Sequence, residues 1–156
     1  MQDKILVLAV GNILLMDEGI ALHVLNRLRS MDLLPEIELL DGGTGGYELI
    51  NFIRGRKKVF IIDCININEQ VGSVVTATLQ EIDLTNNFFV SCHQGGLTEL
   101  LQQSMLLTPL PEIFIIGIVP EEINKMGMQL SSTLESMLES IVSKVYKIIM
   151  KEISKI

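Results

Sequence analysis

Apolar residues along the chain fall in short dense runs separated by polar, glycine-bearing breaks, and the period of the pattern alternates from run to run. Lys4–Val10 (KILVLAV) is aliphatic almost throughout, which predicts a strand covered on both faces. After the Gly11-Asn12 break, Ala21, Val24, Leu25 and Leu28 recur at helical spacing within Glu18–Met31. Pro35 marks a turn, Glu36–Leu40 reads as a second strand running into Asp41 and the glycines that follow, and Tyr47–Ile53 as a short helix. Lys58–Asp63 (KVFIID) is a third aliphatic strand. Ser73–Leu79 alternates and is rich in β-branched residues, which fits an edge strand and suits antiparallel pairing. His93–Leu107 carries Leu97, Leu100, Leu101 and Met105 at helical spacing, and Glu112–Val119 is a last strand stopped by Pro120. Ser132-Thr133-Leu134-Glu135 has the pattern of a capping box opening a long helix through Ile149. Alternating β and α elements predict an α/β fold, a largely parallel sheet of about five strands with helices on both faces.

At 156 residues the chain has the length of one domain, and no repeat, low-complexity tract or linker divides it. No apolar run approaches the ~18 residues needed to cross a bilayer. Met1–Ile5 shows neither a basic leader nor a small-residue cleavage site, so an unprocessed cytoplasmic protein is expected, without membrane insertion. Twelve basic residues against 19 acidic ones give a formal charge of −7, which argues against a nucleic-acid partner and suits a cation-accepting site. Cys64 and Cys92 are the only cysteines and lack CxxC spacing, which fits a reducing compartment and small buried side chains.

Charge becomes informative once it is placed on the strand order. Ligands of open α/β sheets bind beyond the carboxyl ends of the strands. Strand one is followed by Asp17 and Glu18, strand two by Asp41, strand three ends on Asp63, and His93 opens the next helix. Each has a plain explanation alone: dipole complementarity in a first helical turn for Asp17 or Glu18, a self-bonded turn for Asp41, and an N-cap for His93. Asp63 is harder to dismiss, because a carboxylate at the end of an apolar strand is costly unless paired. Several acids facing one crevice repel each other, and the basic cluster Arg54, Arg56, Lys57, Lys58 belongs to the opposite rim. A bound divalent cation resolves the conflict, and two carboxylates with one imidazole suit nickel or zinc.

Other motifs lead nowhere comparable. Gly42–Gly46 lacks the lysine of a phosphate loop and follows an acid that would repel phosphate. His23 reads as a solvent or helix-packing residue, and Cys92 beside His93 is no dyad, since adjacent side chains diverge. No GxSxG elbow or HExxH pair is present.

The blocks Gly11-Asn12-Ile13-Leu14-Leu15-Met16-Asp17-Glu18-Gly19, Asp41-Gly42-Gly43-Thr44, Ile61-Ile62-Asp63, His93-Gln94-x-Gly96-Leu97 and Gly117-Ile118-Val119-Pro120-Glu121 resemble, in this order, the hydrogenase maturation endopeptidases. The resemblance runs over essentially the whole chain, implying one such domain over 1–156 and a three-layer α/β/α sandwich around a twisted mixed sheet. It implies an endopeptidase that removes a C-terminal extension from the large-subunit precursor of a [NiFe] hydrogenase after nickel insertion. The family is grouped by convention with aspartic-type peptidases. Its metal ligands carry over to Glu18, Asp63 and His93, with Asp41 at a further acidic position implicated in activity; nickel is expected to arrive with the precursor, zinc or another divalent ion being a surrogate. A monomer is expected. Ala21 departs from the glycine of many relatives, away from the proposed ligands. The rival readings are a non-enzymatic nickel chaperone or metal sensor on the same fold, and another hydrolase with a small-molecule pocket.

Overall fold

A computed structural model describes residues 4–82, 91–92 and 97–156. The strands are β1 (Ile5–Val10), β2 (Ile37–Gly43), β3 (Lys58–Cys64), β4 (Val74–Thr78) and β5 (Glu112–Ile118). The helices are α1 (Ile20–Leu28), the single-turn α2 (Ile50–Ile53), α3 (Leu97–Met105) and α4 (Ser132–Ile153). One sheet has the order β2-β1-β3-β5-β4, with β4 antiparallel to β5 and every other neighbouring pair parallel.

The near-continuous aliphatic runs follow from burial on both faces. Ile5, Val7, Ala9, Phe60, Ile62 and Cys64 point into a core shared with α1 and α4, while Leu6, Leu8, Val10, Val59 and Ile61 point into a second core closed by α2 and α3. Alternate side chains of one strand thus serve two helical layers, giving the three-layer mixed sandwich that the resemblance implies. β4 runs backwards because residues 65–73 are too short for a crossover helix; a strand that starts on the rim where β3 ends must run down.

The boundaries move where local chemistry competes with periodicity. The segment read as helix from Glu18 begins as a 3-10 turn over Met16–Gly19 and becomes α-helical only at Ile20. α4 is capped by Ser131, not by a box starting at Ser132: the Ser131 hydroxyl accepts from the Leu134 N–H at 3.4 Å. Two successive serines are equivalent locally, and a distant carboxylate described below selects the first. The part of the expected third helix at 93–96 lies outside the described residues.

The basic cluster is consumed at the amino ends of the strands, as the strand order requires. Arg56 is buried and grips Glu38 through two bonds of 2.6 and 3.2 Å. Lys58, also buried, lies within 3.3 Å of Glu112 and 3.5 Å of Glu152, above the rings of Phe60 and Phe114.

Burial, not charge, sets the energetics of α4. Ile141→Ala, which empties part of the core under α4, is expected to lower unfolding free energy by about 3 kcal/mol. Glu139→Ala, which removes the exposed 2.8 Å pair between α4 and Arg27 of α1, should cost less than about 1 kcal/mol. Urea denaturation of both variants checks the contrast.

Candidate functional site at the carboxyl rim

The rim is built by two loops wound against each other. Where β1 ends, the Gly11 N–H donates to the Gly43 carbonyl at 2.8 Å, and the Asn12 side-chain oxygen accepts from the Leu14 N–H at 3.0 Å. The loop then doubles back so tightly that a Cβ on Gly11 would lie 2.2 Å from the Glu18 carbonyl oxygen, and one on Gly19 would lie 2.8 Å from the Ile13 Cα. The glycines of the first motif therefore allow two backbone segments to touch. The second loop, residues 120–131, crosses it: Gly127 donates to the Leu14 carbonyl and accepts from the Met16 N–H, both at 2.8 Å.

Asp17 is the bolt between these loops. It is 0% exposed, and its carboxylate accepts from the N–H groups of Glu121 (3.0 Å), Glu122 (2.8 Å) and Ser131 (2.7 Å) and from the Ser131 hydroxyl (2.8 Å). Four donors satisfy a buried carboxylate without a cation. Nothing in the neighbouring sequence marks Asp17 for this role beyond its place in a first helical turn, because its partners lie more than 100 positions away.

Glu18, the adjacent acid, is only 2% exposed and has a different environment. Burial pushes its carboxyl above the usual range, and a bond from the Asn124 backbone opposes the shift without cancelling it. Asp63, at the end of β3, is 3% exposed; burial pushes its carboxyl up to about 8, against the opposing pull of the Ser91 hydroxyl and the Cys64 N–H. The Cys64 thiol is raised first by its hydrogen bond with Cys92, then by burial, and also by the charges of Asp63 and Glu18. Two buried carboxylates from different elements thus converge on one region of the rim.

Asp41 stands apart from them. It is exposed, and its carboxylate accepts from the Gly43 N–H at 2.9 Å, the turn chemistry expected of an acid before glycines. Its register partner on β1 is Ala9, which pairs on the other side with Ile62, so two strand spacings, about 10 Å, separate Asp41 from the end of β3. His93 lies outside the described residues. Among the described residues no three His, Cys, Asp or Glu side chains form a cluster able to hold a metal. His23 packs beneath the second loop, where burial keeps its imidazole below its ordinary pKa despite the nearby acids Glu135 and Asp17 and a bond to the Met128 backbone.

Fold and site together define an α/β protein whose buried acids gather at the carboxyl rim of a mixed five-stranded sheet. The model of the hydrogenase maturation protease family matches residues 22–148. The hydrogenase 2 maturation protease of Escherichia coli K12 is 32% identical over 145 residues, spanning 91% of this chain and 88% of that protein. The hydrogenase expression/formation protein HupD of Rhizobium leguminosarum is 26% identical over 149 residues, 94% of this chain and 74% of that protein. Among solved structures, the hydrogenase maturating endopeptidase HybD of E. coli superposes with a TM-score of 0.79 at 28% identity, covering 96% of this chain and 93% of that one. HybD of Thermococcus kodakarensis, a [NiFe] hydrogenase maturation protease, gives 0.72 at 28% identity, covering 93% and 98%. The chain belongs to the hydrogenase maturation protease family.

Two outcomes follow from the two kinds of buried acid. Asp17→Ala leaves the buried N–H and hydroxyl of Ser131 and the partly buried N–H of Glu122 unsatisfied and should cost about 3 kcal/mol, with faster hydrogen exchange at Gly127 and Ser131. Asp63 behaves oppositely. Its folded-state pKa lies above its unfolded value, so the folded chain holds the extra proton between about 4 and 8. Stability measured with a chelator present should therefore fall as pH rises through that window, by at most about 1.4 kcal/mol per pH unit from this group. Asp63→Asn removes the dependence, and denaturant titrations of both proteins across the window compare the slopes.

Proposed function

We propose that this chain is a cytoplasmic endopeptidase that removes the C-terminal extension of a [NiFe] hydrogenase large-subunit precursor after nickel insertion, the nickel being part of the substrate. One observation supports this reading most: Glu18 and Asp63, carried by separate elements, are both buried at the rim where this family's fold opens to ligands. Burial of two carboxylates is costly, and a divalent cation brought by the substrate offsets that cost. With His93, which follows Cys92 in the chain, they make a donor set of two carboxylates and an imidazole that suits nickel, with zinc as a surrogate.

The three side chains hold the precursor so that the scissile peptide lies across the rim toward Asp41. Asp41 is exposed and lies roughly 10 Å from the end of β3, leaving room for a peptide and a water between them. Its carboxylate takes the proton of the attacking water, and that proton is then delivered to the leaving amine. In this reading the pair of acids and the histidine provide recognition and positioning, and Asp41 provides the base. The grouping with aspartic-type peptidases is one of convention, and in this reading Asp41 and Asp63 act separately rather than as a proton-sharing pair.

Incubating the protein with nickel-loaded and nickel-free precursor, followed by mass spectrometry of the large subunit, tests the reading. Loss of the C-terminal peptide from the loaded form alone is expected, and equal cleavage of both forms would sink nickel recognition. Glu18→Gln and Asp63→Asn should each slow cleavage by at least about 100-fold while keeping the fold, and Asp41→Asn should slow it without weakening precursor binding. Precursor binding with no cleavage under any condition would favour the chaperone reading.

A further inference from the structure

The two cysteines face each other across a pair of strands. An antiparallel bridge joins Ile65 to Ser91, and the Cys92 N–H donates to the Cys64 carbonyl at 2.9 Å. That register sets Cys64 directly opposite Cys92, in a hydrogen-bonded position, where Cα atoms stand about 5.5 Å apart and the two side chains leave the same face. This separation falls inside the range that a disulfide spans. The thiols already share a hydrogen bond, and both pack on the α1–α4 side of the sheet. Cys64 is fully buried and Cys92 partly exposed, so a reagent reaches the pair from one side only.

We propose that Cys64 and Cys92 form a reversible intramolecular disulfide, a two-electron oxidation site for hydroperoxides beside the candidate site. The partly exposed Cys92 sulfur attacks the hydroperoxide, the O–O bond breaks, and sulfenic acid and one water (or alcohol) result. The Cys64 sulfur then displaces hydroxide from the sulfenic acid, forming the S–S bond, and the thiol proton leaves with it as water. Two thiols lose two electrons in total, and the peroxide bond accepts them. A small dithiol reverses the reaction by exchange. Because Ser91 bonds to Asp63 and Cys92 precedes His93 in the chain, the new bond staples this segment to the end of β3. The register and contact of the two cysteines are independent of which peptide the protein cuts.

These are the only two cysteines of the chain, so any intramolecular disulfide must join them. Purified reduced protein is treated with a small excess of hydrogen peroxide, alkylated under denaturing conditions and digested without reduction. The expected result is a linked pair of peptides containing Cys64 and Cys92, a monomer on a non-reducing gel, and two alkylated cysteines after dithiothreitol. The oxidised protein should melt about 5 °C higher than the reduced one, since the cross-link constrains the unfolded chain. In Cys64→Ala, Cys92 should accumulate sulfenic acid that dimedone traps, the resolving thiol being gone. Stepwise over-oxidation of Cys92 in the wild-type protein while Cys64 remains alkylatable, or a disulfide between two molecules, would overturn the proposal. The wild-type measurement decides the matter even where the alanine variant fails to fold, and it reads masses and melting, so it can fail or succeed whatever the outcome of the precursor assay.

Discussion

The carboxylate of Asp17 holds the rim together. Its four hydrogen bonds reach the backbone after β5 and the cap of α4, so one buried side chain fastens the first loop, the second loop and the longest helix to each other. Without that fastening, Met16 and Gly127 would have no reason to stay paired, and Glu18 would not be carried into the interior. The acid is tolerable because every one of its bonds is charge-assisted. Its neighbour Glu18 points to a different environment, where, among the described residues, burial is not matched by a comparable set of donors. Adjacent residues of the same charge thus have separate tasks, one holding the architecture and the other available to a ligand.

The molecule also keeps its two ends electrostatically distinct. Arg56 and Lys58 are buried at the amino ends of the strands and committed to Glu38, Glu112 and Glu152. Those cations are unavailable to Glu18 and Asp63, which lie at the other end of the strands. A ligand at the carboxyl rim of this chain therefore meets buried acids that these basic side chains do not pair.

Much of the fold was legible because its signals are local. Aliphatic runs of strand length covered on both faces, helical spacing at Ala21, Val24, Leu25 and Leu28, and the alternation that makes β4 an edge strand are properties of neighbouring residues. Asp63 was legible for a related reason, since an acid directly after four apolar residues sits at a strand end whatever the tertiary structure. Asp17 and Glu18 were not distinguishable, because what separates them is a set of donors from residues 121–131. Ser131 is locally indistinguishable from Ser132 as a cap on the same account, and the facing of Cys64 and Cys92 depends on a bridge between segments whose period reveals nothing about register. Asp41 could be read both as a turn residue and as a site acid; the bond to the Gly43 N–H displays the former without bearing on the latter.

The contact between Asp17 and Ser131 spans 114 positions of sequence. Closures of that length form late, since the chain between must first be organised by its own shorter-range contacts. On a ribosome, the first loop emerges early and waits, with its carboxylate hydrated, until the strands through β5 and the start of α4 have been made. The order of synthesis is therefore built into the order of assembly: the rim is locked from the far end of the chain, and a truncated or still-growing product carries an unlatched, incomplete site. A protease that cuts other proteins during their maturation is in this way kept from having a formed rim before it is itself complete.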